Sequence, residues 1–302
     1  MNMEMLATLL PIFLTILLGH LCRRFRILKP EGIATLKKVA ANLTLPASAL
    51  SAFASVDYSL RNLWMPVWVV IASCLMLAMG YAAQRLLRLP GKTVPYLMTG
   101  FEGGMLGFSL YPMLYGNLAP LAMPVIGNVF FIFTIYKVLL SQAKGPKAQL
   151  KEALTSPSIW ALVLGLLIGA TGLYKAMEPS GARAVFTRIL SYMSAPTSYL
   201  ILLAIGYELD LRSVAWGKVG VTVLCRMVIC GVMLAVTLLL NRFVMGGTME
   251  ISAAVMLFIL PAPFVVTVFA KDDSEQSYLS SCLSVMTLVT VLAFAGMILF
   301  MK

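Results

Sequence analysis

The sequence predicts an all-α membrane protein with ten transmembrane helices, arranged as two inverted five-helix repeats in which helices four and nine are broken. The first observation is composition: 60% of the 302 residues are hydrophobic and 12% are charged, whereas soluble domains carry about 25% charged residues. The second is a short motif that recurs half a chain apart. The third is that glycine and proline interrupt two apolar runs at corresponding positions of the two halves.

Each apolar run is close to the roughly 20 residues that cross about 30 Å of hydrocarbon. The predicted spans cover about 5–21, 33–54, 63–87, 96–115, 118–140, 157–174, 184–207, 216–240, 250–270 and 277–301. The longest connection, around 141–156, is basic and polar, and most others are short. We therefore expect one integral membrane domain over residues 1–302. The first run has no basic residue before it and no small-residue cleavage site, so it is predicted as a span rather than a signal peptide.

Basic residues orient the predicted spans. Sixteen of the twenty-three Lys and Arg residues lie in alternate loops, and six lie in the opposite loops and at the C-terminus. The richer loops are those around 22–38, 85–92, 137–151, 212–218 and 271. The positive-inside rule then places both termini outside the cytoplasm of a cell (inner or plasma) membrane. The net charge of +11 mostly reflects this bias, so we expect no nucleic-acid partner.

Nothing in the sequence predicts a metal, a cofactor or catalysis. The five cysteines are scattered through apolar runs, and His20 is the only histidine. Prenyl-transfer enzymes need paired Asp-rich motifs, and KDDSEQ (271–276) is a single incomplete one. We expect its acidic residues, like Glu208, to be solvated. The sequence therefore predicts a protein that is not an enzyme.

A repeated motif supports two halves. LTLPASAL (43–50) and MSAPTSYL (193–200) share P-x-S-x-L, and each lies in the second run of a five-run half. Because five is odd, successive halves enter the membrane in opposite orientations, which is typical of an inverted repeat. The predicted repeats are about 1–140 and 157–302.

Span four contains FEGGMLGFSLYP (101–112), and span nine contains LPAPFVV with Pro261 and Pro263. Proline removes a backbone N–H and clashes with the preceding turn, which opens a helix. Interrupted segments at corresponding positions in two halves point to a transporter's binding site, and half-helix N-termini there suit an anion. The alternative for glycines such as Gly103 and Gly107 is close helix packing.

Two ionisable residues lie inside predicted spans, Glu102 in span four and Arg226 in span eight. A lone charge at the bilayer centre costs roughly 2.5–3.5 kcal/mol on insertion scales, so such residues usually face the protein interior. Two alternatives stay open. Arg226 could extend to the cytoplasmic interface, and Glu102 could make a structural hydrogen bond to a broken helix.

Several neutral polar residues complete the candidate site. Ser48 and Asn128 are the favoured ones, and serines in spans often bond only the preceding turn. The candidate substrate-binding or crossover residues are Asn42, Pro46, Ser48, Glu102, Gly104, Gly107, Asn128, Ser198, Arg226, Pro261 and Pro263.

The stretch GHLCRRFRILKPEGIATLKKVAANLTLPASALSAFASVD (19–57) resembles the first loop and second span of the auxin efflux carrier family, which includes the plant PIN-FORMED carriers and bacterial relatives. The resemblance lies in Gly19, the basic stretch 23–26, the turn 30–32, and a helix broken between Asn42 and Pro46.

Three further spans extend the resemblance. Span four resembles the family's N-x-G-x-x-G-x-P motif: Gly104 and Gly107 match it, Glu102 stands where the family often has Asn, and Ser109 where it often has Pro. Span nine resembles the family's proline-containing crossover, and span eight is similar at Arg226.

The resemblance implies that spans four and nine cross near mid-membrane. It also implies a secondary transporter of small organic anions, such as carboxylates, that works by alternating access. A crossover part would move against a scaffold in the manner of an elevator, with a homodimer formed through a scaffold helix. Proton-coupled, sodium-coupled and uncoupled transport stay open, as does a channel or sensor, although no ring-forming selectivity motif is visible. Because Glu102 replaces a neutral residue, we expect it to be the coupling residue.

Overall fold

The computed structural model describes residues 3–56, 58–59, 62–140, 157–208, 216–270 and 272–300, and in these parts of the chain the only regular structure is helical. The first predicted repeat contains α1 (Met3–Arg24), α2 (Pro30–Val39), α3 (Leu45–Ala54), α4 (Trp64–Leu87), α5 (Val94–Leu97), α6 (Phe108–Tyr115), α7 (Ala119–Phe131) and α8 (Lys137–Leu140). The second contains α9 (Pro157–Ala170), α10 (Leu173–Ala176), α11 (Ala182–Ser194), α12 (Thr197–Glu208), α13 (Trp216–Phe243), α14 (Ile251–Ile259) and α15 (Asp273–Phe300). Helices therefore occur at each predicted span.

Five helical stretches within the described residues are long and apolar enough to cross a membrane. They are Trp64–Leu87, Ala119–Tyr136, Ala182–Glu208, Trp216–Phe243 and Ser274–Ile298. Two shorter apolar stretches are Pro157–Ala170 and Ile251–Thr267. Within the described residues the regular structure is thus helical, and the number of long apolar helices is that of a multi-pass membrane protein. The basic connection 141–156, the loop residues 212–215, Lys271 and Lys302 lie outside the described residues, so the orientation stays a prediction.

The chain divides into two compact units. Unit 1 comprises Met1–Leu63, Gly104–Met123 and Pro146–Leu209, and unit 2 comprises Trp64–Gly103, Pro124–Gly145 and Asp210–Lys302. Each unit takes stretches from both predicted repeats, and the boundary in span four falls between Gly103 and Gly104. The inverted relation of the repeats stays a prediction.

In unit 1, α1 and α12 pack with their backbones in close contact. A Cβ at Gly206 would overlap the carbonyl of Ile16, and one at Gly19 would overlap the carbonyl of Leu203. Small residues at such contacts are what allow membrane helices to approach closely.

The Lys37 ammonium pairs with the Glu208 carboxylate at 2.7 Å, but exposed pairs of this kind contribute only about 0–1 kcal/mol.

Span two differs from the broken helix that the resemblance implies. A π-helical turn, Ala40–Thr44, joins α2 to α3 without opening the helix. Pro46 lies in the first turn of α3, directly after the π-helical turn, and it has no backbone N–H to donate to the preceding turn. In span seven, the helix is interrupted between Ser194 and Thr197. Both copies of P-x-S-x-L therefore lie at helix irregularities.

In unit 2, a cluster of buried apolar residues includes parts of spans four and nine. This core includes Leu97, Phe131, Tyr136, Val223, Ala262, Leu279 and Met286.

At the start of α15, the Ser274 hydroxyl and the Glu275 N–H donate to Asp272, and these bonds lower the pKa of that carboxyl.

Glu275 corrects one expectation. Its side chain is 9% exposed rather than solvated. Its carboxylate accepts the hydroxyl of Thr93 at 2.6 Å and the Thr93 N–H at 3.3 Å. It therefore ties the start of α15 to the residue that precedes α5.

The close contact at Gly206 gives a test of unit 1. We expect Gly206→Ala to lower the melting temperature, because a methyl group there must push α1 and α12 apart, and overpacking typically costs about 1–3 kcal/mol. Gly296→Ala in α15 is the matched control, because no heavy atom lies within 4 Å of a Cβ at that position. Equal melting temperatures for the two variants in detergent would contradict this packing.

Candidate functional site

Two unwound stretches of unit 2 are bonded to each other through their backbones. We call residues 98–102, after α5, and residues 260–263, after α14, the paired breaks. The Glu102 N–H donates to the Pro261 carbonyl at 3.0 Å. The Phe264 N–H, at the start of the 3-10 turn Phe264–Phe269, donates to Glu102 Oε2 at 2.8 Å. The interruptions predicted in spans four and nine thus meet inside one compact unit.

Arg226 satisfies carbonyl groups at both breaks. Its guanidinium donates to Leu97 O at 2.7 Å and to Gly100 O and Leu260 O at 2.9 Å each. Carbonyls at helix C-termini have no intrahelical donor and carry partial negative charge, so a cation fits them. The side chain is 3% exposed, so it is directed into unit 2 and does not extend to an interface.

The ring of Phe101 packs next to this guanidinium. Arg226 Cζ lies 5.8 Å from the centre of the Phe101 ring, within the range of a cation–π contact. The same ring packs edge to face against Phe258, with ring centres 5.1 Å apart. Aromatic packing therefore supports the cation from the side of span four.

Asn128 binds the backbone of the first break. Its Oδ1 accepts the Phe101 N–H at 2.9 Å, and its Nδ2 donates to Phe101 O at 2.7 Å. The amide thus supplies both hydrogen bonds that residue 101 would have made inside a helix. Asn128 is 1% exposed, and leaving such buried groups unpaired costs about 1–3 kcal/mol each.

Two prolines and one glycine allow the two breaks to pack against each other. Pro261 and Pro263 are buried, and neither has an N–H that would need a partner at membrane depth. Gly100 has φ +66°, and a Cβ there would lie 2.9 Å from Pro263 Cγ. A side chain at position 100 would therefore be strained twice, by its backbone conformation and by the proline ring.

Sequence reasoning missed two hydroxyl groups near the breaks. The Thr290 hydroxyl lies 2.5 Å from Ile259 O and 3.0 Å from Met286 O. The Thr99 hydroxyl donates to Ser73 O at 2.5 Å. The sequence contains no signal for either bond, because a threonine that bonds only its own helix has the same local sequence.

The structure brings together five of the predicted site residues. Those in unit 2 are Glu102, Asn128, Arg226, Pro261 and Pro263, and those in unit 1 are Asn42, Pro46, Ser48, Gly104, Gly107 and Ser198. Within unit 1, the Ser198 hydroxyl donates to Ser109 O at 2.9 Å, which links α12 to α6. Ser48 is buried and donates to Thr44 O in its own helix at 3.4 Å, whereas Asn42 is exposed.

The paired breaks include the Glu102 carboxylate and are bound by the Arg226 guanidinium of α13. Their net charge therefore depends on whether Glu102 carries a proton. Within the described residues, no group of three or more His, Cys, Asp or Glu side chains could hold a metal ion.

We expect Arg226→Met to destabilise the fold strongly. It leaves three carbonyls without a charged donor, and hydrogen bonds to charged groups contribute about 1.5–3 kcal/mol each. Arg226→Lys, which keeps the charge but loses the planar fork, should fall between this variant and the wild type. Arg242→Met is the control, since Arg242 is exposed on the same helix. Equal yields and melting temperatures for Arg226→Met and Arg242→Met would show that Arg226 does not hold the breaks.

Comparison with known proteins identifies the family of the chain. An uncharacterized transporter of Methanothermobacter thermautotrophicus is 24% identical over 304 residues, and the alignment covers 95% of each chain. The family model described as "Membrane transport protein" matches residues 4–301, nearly the whole chain. The chain therefore belongs to the membrane transport protein family, the auxin efflux carrier family that its motifs resemble.

Proposed function

We propose that the protein is a secondary active transporter of a small organic anion, a carboxylate, that works by alternating access. The observation that carries the proposal is the pair of broken spans. The Glu102 N–H donates to Pro261 O, the Phe264 N–H donates to the Glu102 carboxylate, and Arg226 binds carbonyls of both breaks. Unwound backbone is tolerated at membrane depth only where it is buried in protein or lines a cavity. A break held by a buried cation offers positive charge to an anion.

In this mechanism Glu102 is the residue that couples transport to protons. While Glu102 is ionised, it balances the charge of Arg226 and accepts the Phe264 N–H. Once Glu102 takes up a proton, the breaks keep the positive charge of Arg226, and the Phe264 N–H loses its charged acceptor. A carboxylate substrate fits this second state, so proton uptake and anion binding favour each other.

The proposed topology has ten spans. Two inverted five-helix repeats would place spans four and nine across each other, with both termini outside the cytoplasm. The part of the chain that carries the paired breaks would move as an elevator in a homodimer.

A ligand screen followed by a flux assay tests the transport function. Small carboxylates are screened by thermal shift on the purified protein, because a ligand at 100 times its dissociation constant stabilises the fold by about 2.7 kcal/mol. The best ligand is then assayed in proteoliposomes with imposed proton or sodium gradients. Saturable counterflow supports a carrier, whereas unsaturable ionic current indicates a channel and contradicts the proposal.

We expect the double variant Pro261→Ala/Pro263→Ala to insert normally and to lose transport. The two new N–H groups need acceptors inside the membrane, and the simplest solution is a continued helix. That helix would draw the carbonyls of residues 260 and 261 away from Arg226 and from the Glu102 N–H. Counterflow of the identified carboxylate is the measurement, and Pro11→Ala, in the interior of α1, is the control. Unimpaired counterflow in the double variant would rule out a role for the break.

We expect Glu102→Gln to keep carboxylate exchange but to lose proton-driven accumulation. Gln keeps the shape and an oxygen acceptor for the Phe264 N–H, but it cannot take up a proton. The pH dependence of flux should therefore become flat, while Glu208→Gln should behave as wild type because Glu208 is an exposed ion-pair partner. If Glu102→Gln accumulates substrate with wild-type pH dependence, the role of Glu102 is structural and coupling lies elsewhere.

A further inference from the structure

An apolar crevice of about 160 Å³ lies in unit 2 next to the second break. Three elements form its walls: α13, the end of α14 with the start of the break, and α15. Its lining includes Arg226, Met227, Phe258, Leu260, Met286 and Thr290. Its two polar members, Arg226 and Thr290, are already bonded to the carbonyls of residues 260 and 259.

The crevice is deep on one side and open on the other. The wall residues Phe258, Met286 and Thr290 are 4%, 3% and 0% exposed. At the mouth, Met227 is 49% exposed, and no heavy atom lies within 4 Å of a Cβ at Gly231. The crevice therefore opens at the outer face of α13.

That outer face is apolar and belongs to a membrane-crossing helix. Its exposed residues include Leu224, Met227, Val228 and Val232. Since the protein is a multi-pass membrane protein, side chains exposed on such a helix contact lipid. The mouth of the crevice is therefore continuous with the lipid-contacting surface.

The depth of the crevice in the bilayer identifies the part of a lipid that reaches it. α13 has 28 residues, Trp216–Phe243, and the α13 residues of the crevice, 223–234, straddle its midpoint. A helix of this length rises about 1.5 Å per residue and spans the hydrocarbon layer fully. The middle of the helix thus lies where the acyl chains of the two leaflets end.

The size of the crevice fits a short hydrocarbon segment. An apolar protein cavity of about 150 Å³ stays dry and binds benzene. An unfilled void forfeits the dispersion contacts of its walls, and water entering it would compete for the bond between Arg226 and Leu260 O. Hydrocarbon avoids both penalties.

We propose that this crevice binds the terminal segment of a lipid acyl chain, which packs against Leu260 and Pro261 at the second break. The bound chain fills the space behind the break and keeps water from the Arg226 hydrogen bonds. Bilayer lipid is then part of the structure that keeps span nine open. This site is independent of the identity of the transported anion.

Photo-crosslinking in nanodiscs tests the proposal. The probe is a phosphatidylcholine with a diazirine near the methyl end of one acyl chain, and the labelled residues are located by mass spectrometry. In the wild type we expect label on the buried wall residues Phe258, Met286 and Thr290, together with the exposed reference Val228, which is 57% exposed. Benzene, which fits a cavity of this size, should reduce the wall label and leave the Val228 label unchanged.

A matched pair of variants sharpens the test. Gly231→Phe places a ring in the mouth of the crevice, and Gly220→Phe places one on the same helix outside the crevice; no heavy atom lies within 4 Å of either Cβ position. Label on the wall residues should fall at least tenfold in Gly231→Phe and stay unchanged in Gly220→Phe. Labelling of Val228 in both variants reports that α13 still contacts lipid.

Two results would overturn the proposal. One is a wild-type protein labelled at Val228 but not at Phe258, Met286 or Thr290, a result that needs no variant. The other is wall labelling that persists in Gly231→Phe. Neither result bears on carboxylate transport, so failure here is distinguishable from failure of the proposed function.

Discussion

The structure depends first on one requirement: every backbone N–H and C=O inside a bilayer must have a hydrogen-bond partner. A continuous helix meets that need by itself, but spans four and nine are interrupted. At the breaks, Arg226 donates to three carbonyls, Asn128 pairs both polar groups of Phe101, and Glu102 bonds residues of the opposite break. The prolines reduce the number of donors that need partners. The breaks persist because Arg226 and Asn128, from two other helices, and Glu102, from the first break, replace the missing helix bonds.

The signs of the two charges follow the polarity of the helix ends. Arg226 lies at the carbonyl ends of α5 and α14, where the backbone is partially negative, and Glu102 lies at the amino end of the 3-10 turn, where it is partially positive. The same groups that would recognise a substrate therefore also maintain the fold. Variants that remove these side chains therefore lower the stability of the fold, and a loss of transport in them cannot be assigned to substrate binding. Isosteric changes, which alter charge or hydrogen-bond geometry alone, are the ones that separate the two roles.

Sequence reasoning predicted the apolar spans, because a run of about 20 apolar residues has few other uses. It also identified Glu102, Asn128 and Arg226, since polar residues in apolar runs are costly and rarely accidental. It could not show that Asn128 bonds residue 101 or that Thr290 reaches Ile259, because those pairs are set by packing between spans. The solvated environment expected for Glu275 was wrong for the same reason: its partner, Thr93, is 182 residues away in the sequence. The π-turn of span two, in place of an open break, likewise has no distinctive local sequence.

The single carboxylate at position 102 also limits the free energy that one proton can contribute to the transport cycle. A hydrogen bond to a charged acceptor contributes about 1.5–3 kcal/mol and one to a neutral acceptor about 0.5–1.5 kcal/mol. Protonation of Glu102 would therefore weaken the hold on Phe264 by about 1–1.5 kcal/mol, or roughly a tenfold change in an equilibrium. Converting a population from 1:99 to 99:1 takes about 5.5 kcal/mol. Through this hydrogen bond alone, one proton can thus shift an alternating-access equilibrium by about tenfold, which is far short of that full conversion. The remainder must come from the anion, so under the proposed mechanism proton and substrate must act together.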